Sequence, residues 1–239
     1  MLDGRSYWIV GASEGLGRAL AKALDRKGAR LILSARSRGR LEELAAELGP
    51  ARVVPMDVSD ANSVAQAVKL AGEVDGLIYC AGFYEPLSVQ EWDADAVEAM
   101  ADVNFNGALR VLGHVAPKMA GSGHGHLVMI GSLAGFSGLP GAIGYGASKA
   151  ALMHLAENMQ ADLRGTGLKV QVINPGFIRT RLTEKNRFNM PFIMDPEEAA
   201  DRVVRAMESR RFSTSFPRLF SWLFRAGRFL PRGLFLRLF

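Results

Sequence analysis

A chain of 239 residues, 49% of them hydrophobic, is long enough to bury one sizeable α/β core. Its single cysteine, Cys80, excludes an intrachain disulfide and suits a reducing compartment. The net charge of +5 belongs to the end of the chain: residues 209–239 hold seven arginines and no acid, leaving −2 on residues 1–208, which excludes a nucleic-acid footprint across the fold.

The polar start, Met1 to Ser6, lacks the basic segment and apolar core of a secretory signal, and no stretch reaches about 18 consecutive apolar residues. A cytoplasmic location is the expectation. Tyr7-Trp8-Ile9-Val10 is an apolar run ending in Gly11, suited to a buried strand. Gly11-Ala12-Ser13-Glu14-Gly15-Leu16-Gly17 then leads into the helical pattern Leu16, Leu20, Ala23, Leu24. Glycines between a strand and a helix let the backbone approach a pyrophosphate, and the helix N-terminus supplies amide donors. An ordinary glycine-rich turn is the alternative, which the flanking strand and helix disfavour. Arg30 to Ser34 is the second strand, and its end reads Ala35-Arg36-Ser37-Arg38. There is no acid there for a ribose 2′-hydroxyl. An arginine suits a 2′-phosphate, so NADP(H) is favoured over NAD(H).

Leu41 to Leu48 reads as an amphipathic helix stopped by Gly49-Pro50, and Arg52 to Met56 as a third strand ending in Asp57-Val58. Ser59 or Asp60 can cap the next helix, through Val64, Ala67, Val68 and Ala71. The fourth strand, Gly76 to Tyr79, ends at Cys80-Ala81-Gly82. Strand and helix alternate at βαβ spacing, which predicts a single α/β domain over residues 1–217 with a doubly wound parallel sheet of the Rossmann type. Ala94 to Met119 is a long helical region containing Asn104. His124 and His126 flank the start of a fifth strand ending at Ile130, with no cysteine or acid nearby, so no metal site is expected. Ser132 stands just past that strand, where open α/β sheets place ligands.

Tyr145 opens a helix to Arg164 and is followed one turn later by Lys149, on the same face. A phenol titrates near about pH 10, and a nearby ammonium favours the phenolate, so the pair can exchange a proton with a hydroxyl or carbonyl near neutral pH. Alone, such a pair is common by chance. Leu168 to Ile173 forms a sixth strand closed by Asn174-Pro175-Gly176, with Thr180 beyond. Asp195-Pro196-Glu197-Glu198 starts a helix running to about Ser209, and Phe212 to Phe216, which alternates poorly, is a candidate last strand.

With the glycine turn, Ser132, Tyr145 and Lys149 in this order and spacing, the chain resembles the short-chain dehydrogenase/reductase family over residues 5 to about 210. The resemblance implies a catalytic tetrad of Asn104, Ser132, Tyr145 and Lys149: a water-supporting asparagine, a serine bonded to the substrate oxygen, the general acid/base, and the lysine that holds the nicotinamide ribose. It implies cofactor contacts from Gly11, Ser13, Gly15, Leu16, Gly17, Arg36, Asp57, Val58, Ala81, Gly82, Asn104, Tyr145, Lys149, Pro175, Gly176 and Thr180, and it implies a homo-oligomer. One departure stands out: Cys80 occupies the place where the family usually has asparagine before Ala-Gly. A small packing residue is the favoured reading of Cys80 over a reactive thiol.

The implied activity is NADP(H)-dependent hydride transfer to a carbonyl or from a secondary alcohol. The rival class is an NADP-binding sensor or scaffold without turnover, which has no chemical need for all four tetrad members. The segment Arg181 to Met194 carries Phe188, Met190, Pro191, Phe192, Ile193 and Met194, an apolar lid suited to a lipophilic substrate or simply packed on the fold. In the tail, residues 218–239, a helical wheel sets Leu219, Trp222, Leu223, Ala226 and Leu230 on one side, flanked by Phe220 and Phe224. Arg218, Ser221, Arg225 and Arg228 lie opposite, and after Pro231 the run Leu234 to Phe239 resumes the pattern. This composition describes an interfacial helix at the inner face of a membrane, with packing over the pocket or against another subunit as the alternatives.

Overall fold

Apolar runs bounded by turn residues become strands buried between two helical layers. The computed structural model describes residues 2–186, 188–227, 229, 231, 233, 234 and 237. The strands are β1 (Ser6–Val10), β2 (Arg30–Ser34), β3 (Ala51–Val53), β4 (Gly76–Tyr79), β5 (Gly125–Ile130), β6 (Leu168–Pro175) and β7 (Ser213–Phe216). They pair in parallel in the order β3-β2-β1-β4-β5-β6-β7. Successive side chains of a strand point to opposite faces. Thus Tyr7, Ile9, Leu31 and Leu33 join one core with α1 (Gly15–Asp25), α2 (Arg38–Ala46) and α7 (Pro196–Glu208). Trp8, Val10 and Ile32 join the other, with α3 (Ala61–Ala71), α5 (Gly107–Ser122) and α6 (Ile143–Asp162). This is the expected Rossmann-type α/β fold. Strand order reverses between β1 and β4, so a crevice opens at their carboxyl ends, where Gly11 and Cys80-Ala81-Gly82 follow the strands.

Three local features bear on function. The long helical region divides into α4 (Ala94–Ala101), a π turn at Asp102–Asn106 and α5, and the π turn carries the buried Asn104. The weakly alternating Phe212 to Phe216 does yield an edge strand, β7, in register with β6 from Val172↔Ser213 to Pro175↔Phe216. Beyond it, α8 (Arg218–Gly227) packs back on the body. Arg228, Leu230, Phe235, Leu236, Leu238 and Phe239 of the tail lie outside the described residues. No helix among the described residues is long and apolar enough to cross a membrane.

His126 sits in β5, 5% exposed. Gln171 Nε2 donates to the carbonyls of Ala206 and Arg211, so its Oε1 accepts from His126 Nε2–H at 2.8 Å. The Tyr7 hydroxyl then donates to His126 Nδ1, also at 2.8 Å. Both lone functions of the imidazole are used in its neutral form, and burial, reinforced by the Lys169 cation, pushes it down to about 4. No group of three metal-ligating side chains occurs among the described residues.

Because the folded imidazole titrates below the unfolded one, its contribution is complete above about pH 6.5 and is lost as pH falls toward the folded value. Urea unfolding measured from about pH 7 down to about pH 4 should therefore show a loss of roughly 3 kcal/mol from this group. A His126→Gln variant should be less stable at neutral pH and show a correspondingly shallower acid slope.

Candidate active site

The crevice is shaped first by backbone. Gly11 leaves β1 with φ +93°, and a Cβ there would lie 2.5 Å from the Ala81 amide nitrogen. At Gly17, in the first turn of α1, a Cβ would lie 1.9 Å from the Gly11 carbonyl oxygen. Only glycine permits either approach, and the two together set the N-terminus of α1 directly over the end of β1. No side chain caps α1. Glu14, at its cap position, instead pairs with Arg40 at 2.8 Å and Arg181 at 2.6 Å. The first-turn amides are thus left to whatever anion enters the crevice.

A cavity of about 890 Å³ follows the carboxyl edge of the sheet. Arg36, Ser37, Asp57 and Ser59 line it beyond β2 and β3, and the glycine turn lines it at β1. Ser132, Tyr145 and Lys149 line it at β5 and α6, and Phe177, Phe188, Phe220 and Phe224 close the far end. All the candidate cofactor residues face it except Asn104, which is buried behind it. Burial pushes the Asp57 carboxyl up, but bonds from the Ser59 hydroxyl at 2.6 Å and amide at 2.9 Å, with Arg36 and Arg110 nearby, hold it below the usual carboxylate range.

Ser132 reaches the cavity because β5 ends one residue before Gly131, and its Oγ accepts from the Ala134 amide at 3.1 Å. Tyr145 and Lys149 project from α6 beside it. Lys149 is buried, donates to the Ile130 carbonyl at 2.9 Å, and is pushed down to about 8 by burial. The sequence reading had the ammonium lowering the tyrosine. The structure corrects this. Burial raises the Tyr145 phenol and outweighs its hydrogen bond with Ser132, while Lys149 Nζ stands 5.8 Å from the ring centroid and bonds elsewhere. Tyr145 therefore rests protonated, as a proton donor must.

The sequence model of the short chain dehydrogenase family matches residues 6–190. An uncharacterised oxidoreductase of Myxococcus xanthus is 36% identical over 97% of this chain and 94% of its own. A short-chain dehydrogenase from Sphingobium yanoikuyae, solved in complex with NADPH, is 28% identical with a TM-score of 0.85, covering 96% of this chain and 94% of its own. One from Burkholderia cenocepacia, solved in complex with NADP, is 26% identical with a TM-score of 0.86, covering 98% and 96%. The chain belongs to the short-chain dehydrogenase family. It is an oxidoreductase of that family.

Asn104 is buried behind the cavity and bonds to two segments that frame it. Its Oδ1 accepts from the Phe83 amide at 2.7 Å, and its Nδ2 donates to the Phe83 carbonyl and to Ser148 Oγ, both at 2.9 Å. Ser148 in turn donates to the Tyr145 carbonyl at 2.9 Å. The π turn thereby ties the segment after β4 to the helix that carries Tyr145 and Lys149. Sequence reasoning passed over Ser148, although it lies between the two named residues of the motif. It also passed over Tyr84, whose ring meets Tyr145 edge-on at 4.9 Å and whose hydroxyl donates to Asn186 Oδ1 at 2.6 Å. The aromatic pair Phe83-Tyr84 directly after the fourth strand was the available signal.

Asn104→Ala leaves the Phe83 amide and carbonyl without their partner. Phe83 is half-buried beside the cavity, so a loss of about 0.5–1.5 kcal/mol per bond is expected, seen as a lower thermal midpoint, with activity reduced further than stability alone explains.

Proposed function

We propose that this protein is an NADP(H)-dependent oxidoreductase that interconverts lipophilic carbonyl compounds and secondary alcohols. The observation that carries the reading is the single cavity joining Arg36 at one end, through Ser132 and Tyr145, to an aromatic wall at the other. The residues present fit the cofactor. The glycine turn leaves a cradle that a Cβ would fill, and the end of β2 offers Arg36 and no acid. The NADPH and NADP complexes of the Sphingobium and Burkholderia proteins support the same reading.

When bound, the nicotinamide supplies or accepts the hydride at the substrate carbon. In reduction, Tyr145 gives its phenolic proton to the carbonyl oxygen. Ser132 donates a hydrogen bond that orients that oxygen, and the Lys149 cation steadies the phenolate left behind. A Lys149 titrating at about 8 remains mainly charged at neutral pH, which this role requires.

The aromatic end supports an apolar substrate. Phe177 packs against Phe188 at 5.8 Å and Phe220 at 6.0 Å, and Phe220 against Phe224 at 5.0 Å. Of the described arginines at this end, Arg181 pairs with Glu14 and Arg179 with Asp195.

A panel of carbonyl compounds and alcohols graded by polarity, followed through nicotinamide absorbance with both cofactors, tests the reading. Turnover should be found with NADPH and should rise with apolar character; no turnover with any member would return the protein to a sensor or scaffold role. Tyr145→Phe should lower turnover by about a hundredfold to ten-thousandfold while leaving NADPH binding intact. Arg36→Ala should weaken NADPH about tenfold to a hundredfold, the worth of one charge-assisted hydrogen bond, and leave NADH nearly unchanged. Both binding effects are read by fluorescence titration.

A further inference from the structure

We propose that the outer face of α8 docks this protein on an anionic lipid surface, at the mouth of its substrate cavity. The helix has two apolar faces. Phe220 and Phe224 turn inward and line the cavity, Phe224 only 3% exposed, and Ser221 is buried with them. Leu219, 84% exposed, and Trp222, 66% exposed, turn outward with Leu223. On the loop between β6 and α7, Phe188 and Phe192 are also more than half exposed, and the Phe192 ring lies 5.7 Å from Phe220 of α8. Exposed tryptophan, leucine and phenylalanine on one helix and on the loop that touches it need a cover.

Charge identifies the cover. Arg218 and Arg225 are exposed on the same helix, and residues 209–239 carry seven arginines and no acid. A second copy seated here by two-fold symmetry would set these arginines against themselves with no acid in the segment to pair them. An anionic bilayer surface satisfies both features, taking the apolar side chains into its interfacial layer and the guanidinium groups among its phosphates. Because Phe220 and Phe192 join the outer patch to the cavity wall, a lipid-dissolved substrate would reach Tyr145 without crossing bulk water. That access route rests on the apolar-substrate reading above; the docking does not.

Co-sedimentation of the full chain with vesicles decides it. Vesicles of phosphatidylcholine mixed with phosphatidylglycerol should pellet the protein at low salt, several-fold less in high salt, and vesicles of phosphatidylcholine alone should pellet little. Leu219→Glu combined with Trp222→Glu should lower binding by about tenfold or more while NADPH binding and the thermal midpoint stay put, since both side chains are exposed. Arg218→Ala and Arg225→Ala, which leave the apolar face intact, should each lower it about fivefold. Protein left in the supernatant at low salt would overturn the proposal. So would equal binding to neutral vesicles, or an unaffected glutamate variant. A glutamate variant that dissociates an oligomer of a vesicle-blind parent would assign the face to a second copy instead. Failure on apolar substrates with docking intact would remove only the access route.

Discussion

The Gly11 carbonyl lies where a side chain at position 17 would have to stand, and much of the crevice depends on that contact. It draws the first turn of α1 onto the end of β1. The adjoining contact, Gly11 against Ala81, draws the end of β1 onto the end of β4. Because strand order reverses between these two strands, the helix layers diverge from this point, and the cavity runs both ways along the sheet edge from it. Larger residues at either glycine would separate the strand ends and move α1, and with it the amides that Glu14 leaves uncapped.

On the far side of this pivot the chemistry depends on burial. Tyr145 and Lys149 are both desolvated, and burial disfavours the charged form of each: it raises the phenol and lowers the ammonium. The resting pair is thus a neutral phenol beside a lysine held by the Ile130 carbonyl, one residue before Gly131 and two before Ser132. The same withdrawal from water that keeps the proton on Tyr145 strengthens every hydrogen bond offered to a substrate oxygen there. Asn104 supports this arrangement from behind. A regular helix through 102–106 would turn its side chain to a different angle, and the π turn is what aims it at Phe83 and Ser148.

The strand and helix order was legible because each buried strand is a short apolar run and each turn carries glycine, proline or a capping side chain. The site was legible where residue type and spacing coincide with a helical turn, as at Tyr145 and Lys149. Three things were not. The π turn has no marker in Asp102 to Asn106, since it differs from an α-helix by one residue per turn and not by composition. The balance of forces on Tyr145 depends on how deeply the pair is buried and on where Lys149 finds an acceptor, neither of which spacing encodes. The helical wheel of the tail set Leu219, Trp222 and Leu223 with Phe220 and Phe224 against the arginines, whereas the two phenylalanines turn inward and the others turn outward with Arg218 and Arg225. It grouped Ser221 with the arginines, whereas Ser221 is buried beside Phe224 and donates to the Arg218 carbonyl.

That last point has a physical cause, and it explains the tail's composition. The body offers α8 a surface already aromatic, Phe177 and the loop rings, so the helix turns inward the stripe with two phenylalanines four apart, Phe220 and Phe224. A helix closing a cavity in water would be expected to present polar side chains outward. Here the residues that rotate outward are Leu219, Trp222 and Leu223, with arginines at Arg218 and Arg225. An outward apolar stripe costs solubility unless something covers it, and long basic side chains beside it keep the free protein dispersed and, on the docking proposed above, favour a negative surface. The inner and outer faces of α8 are therefore two parts of one arrangement, in which a single ten-residue helix contributes both to the wall of the cavity and to the apolar surface outside it.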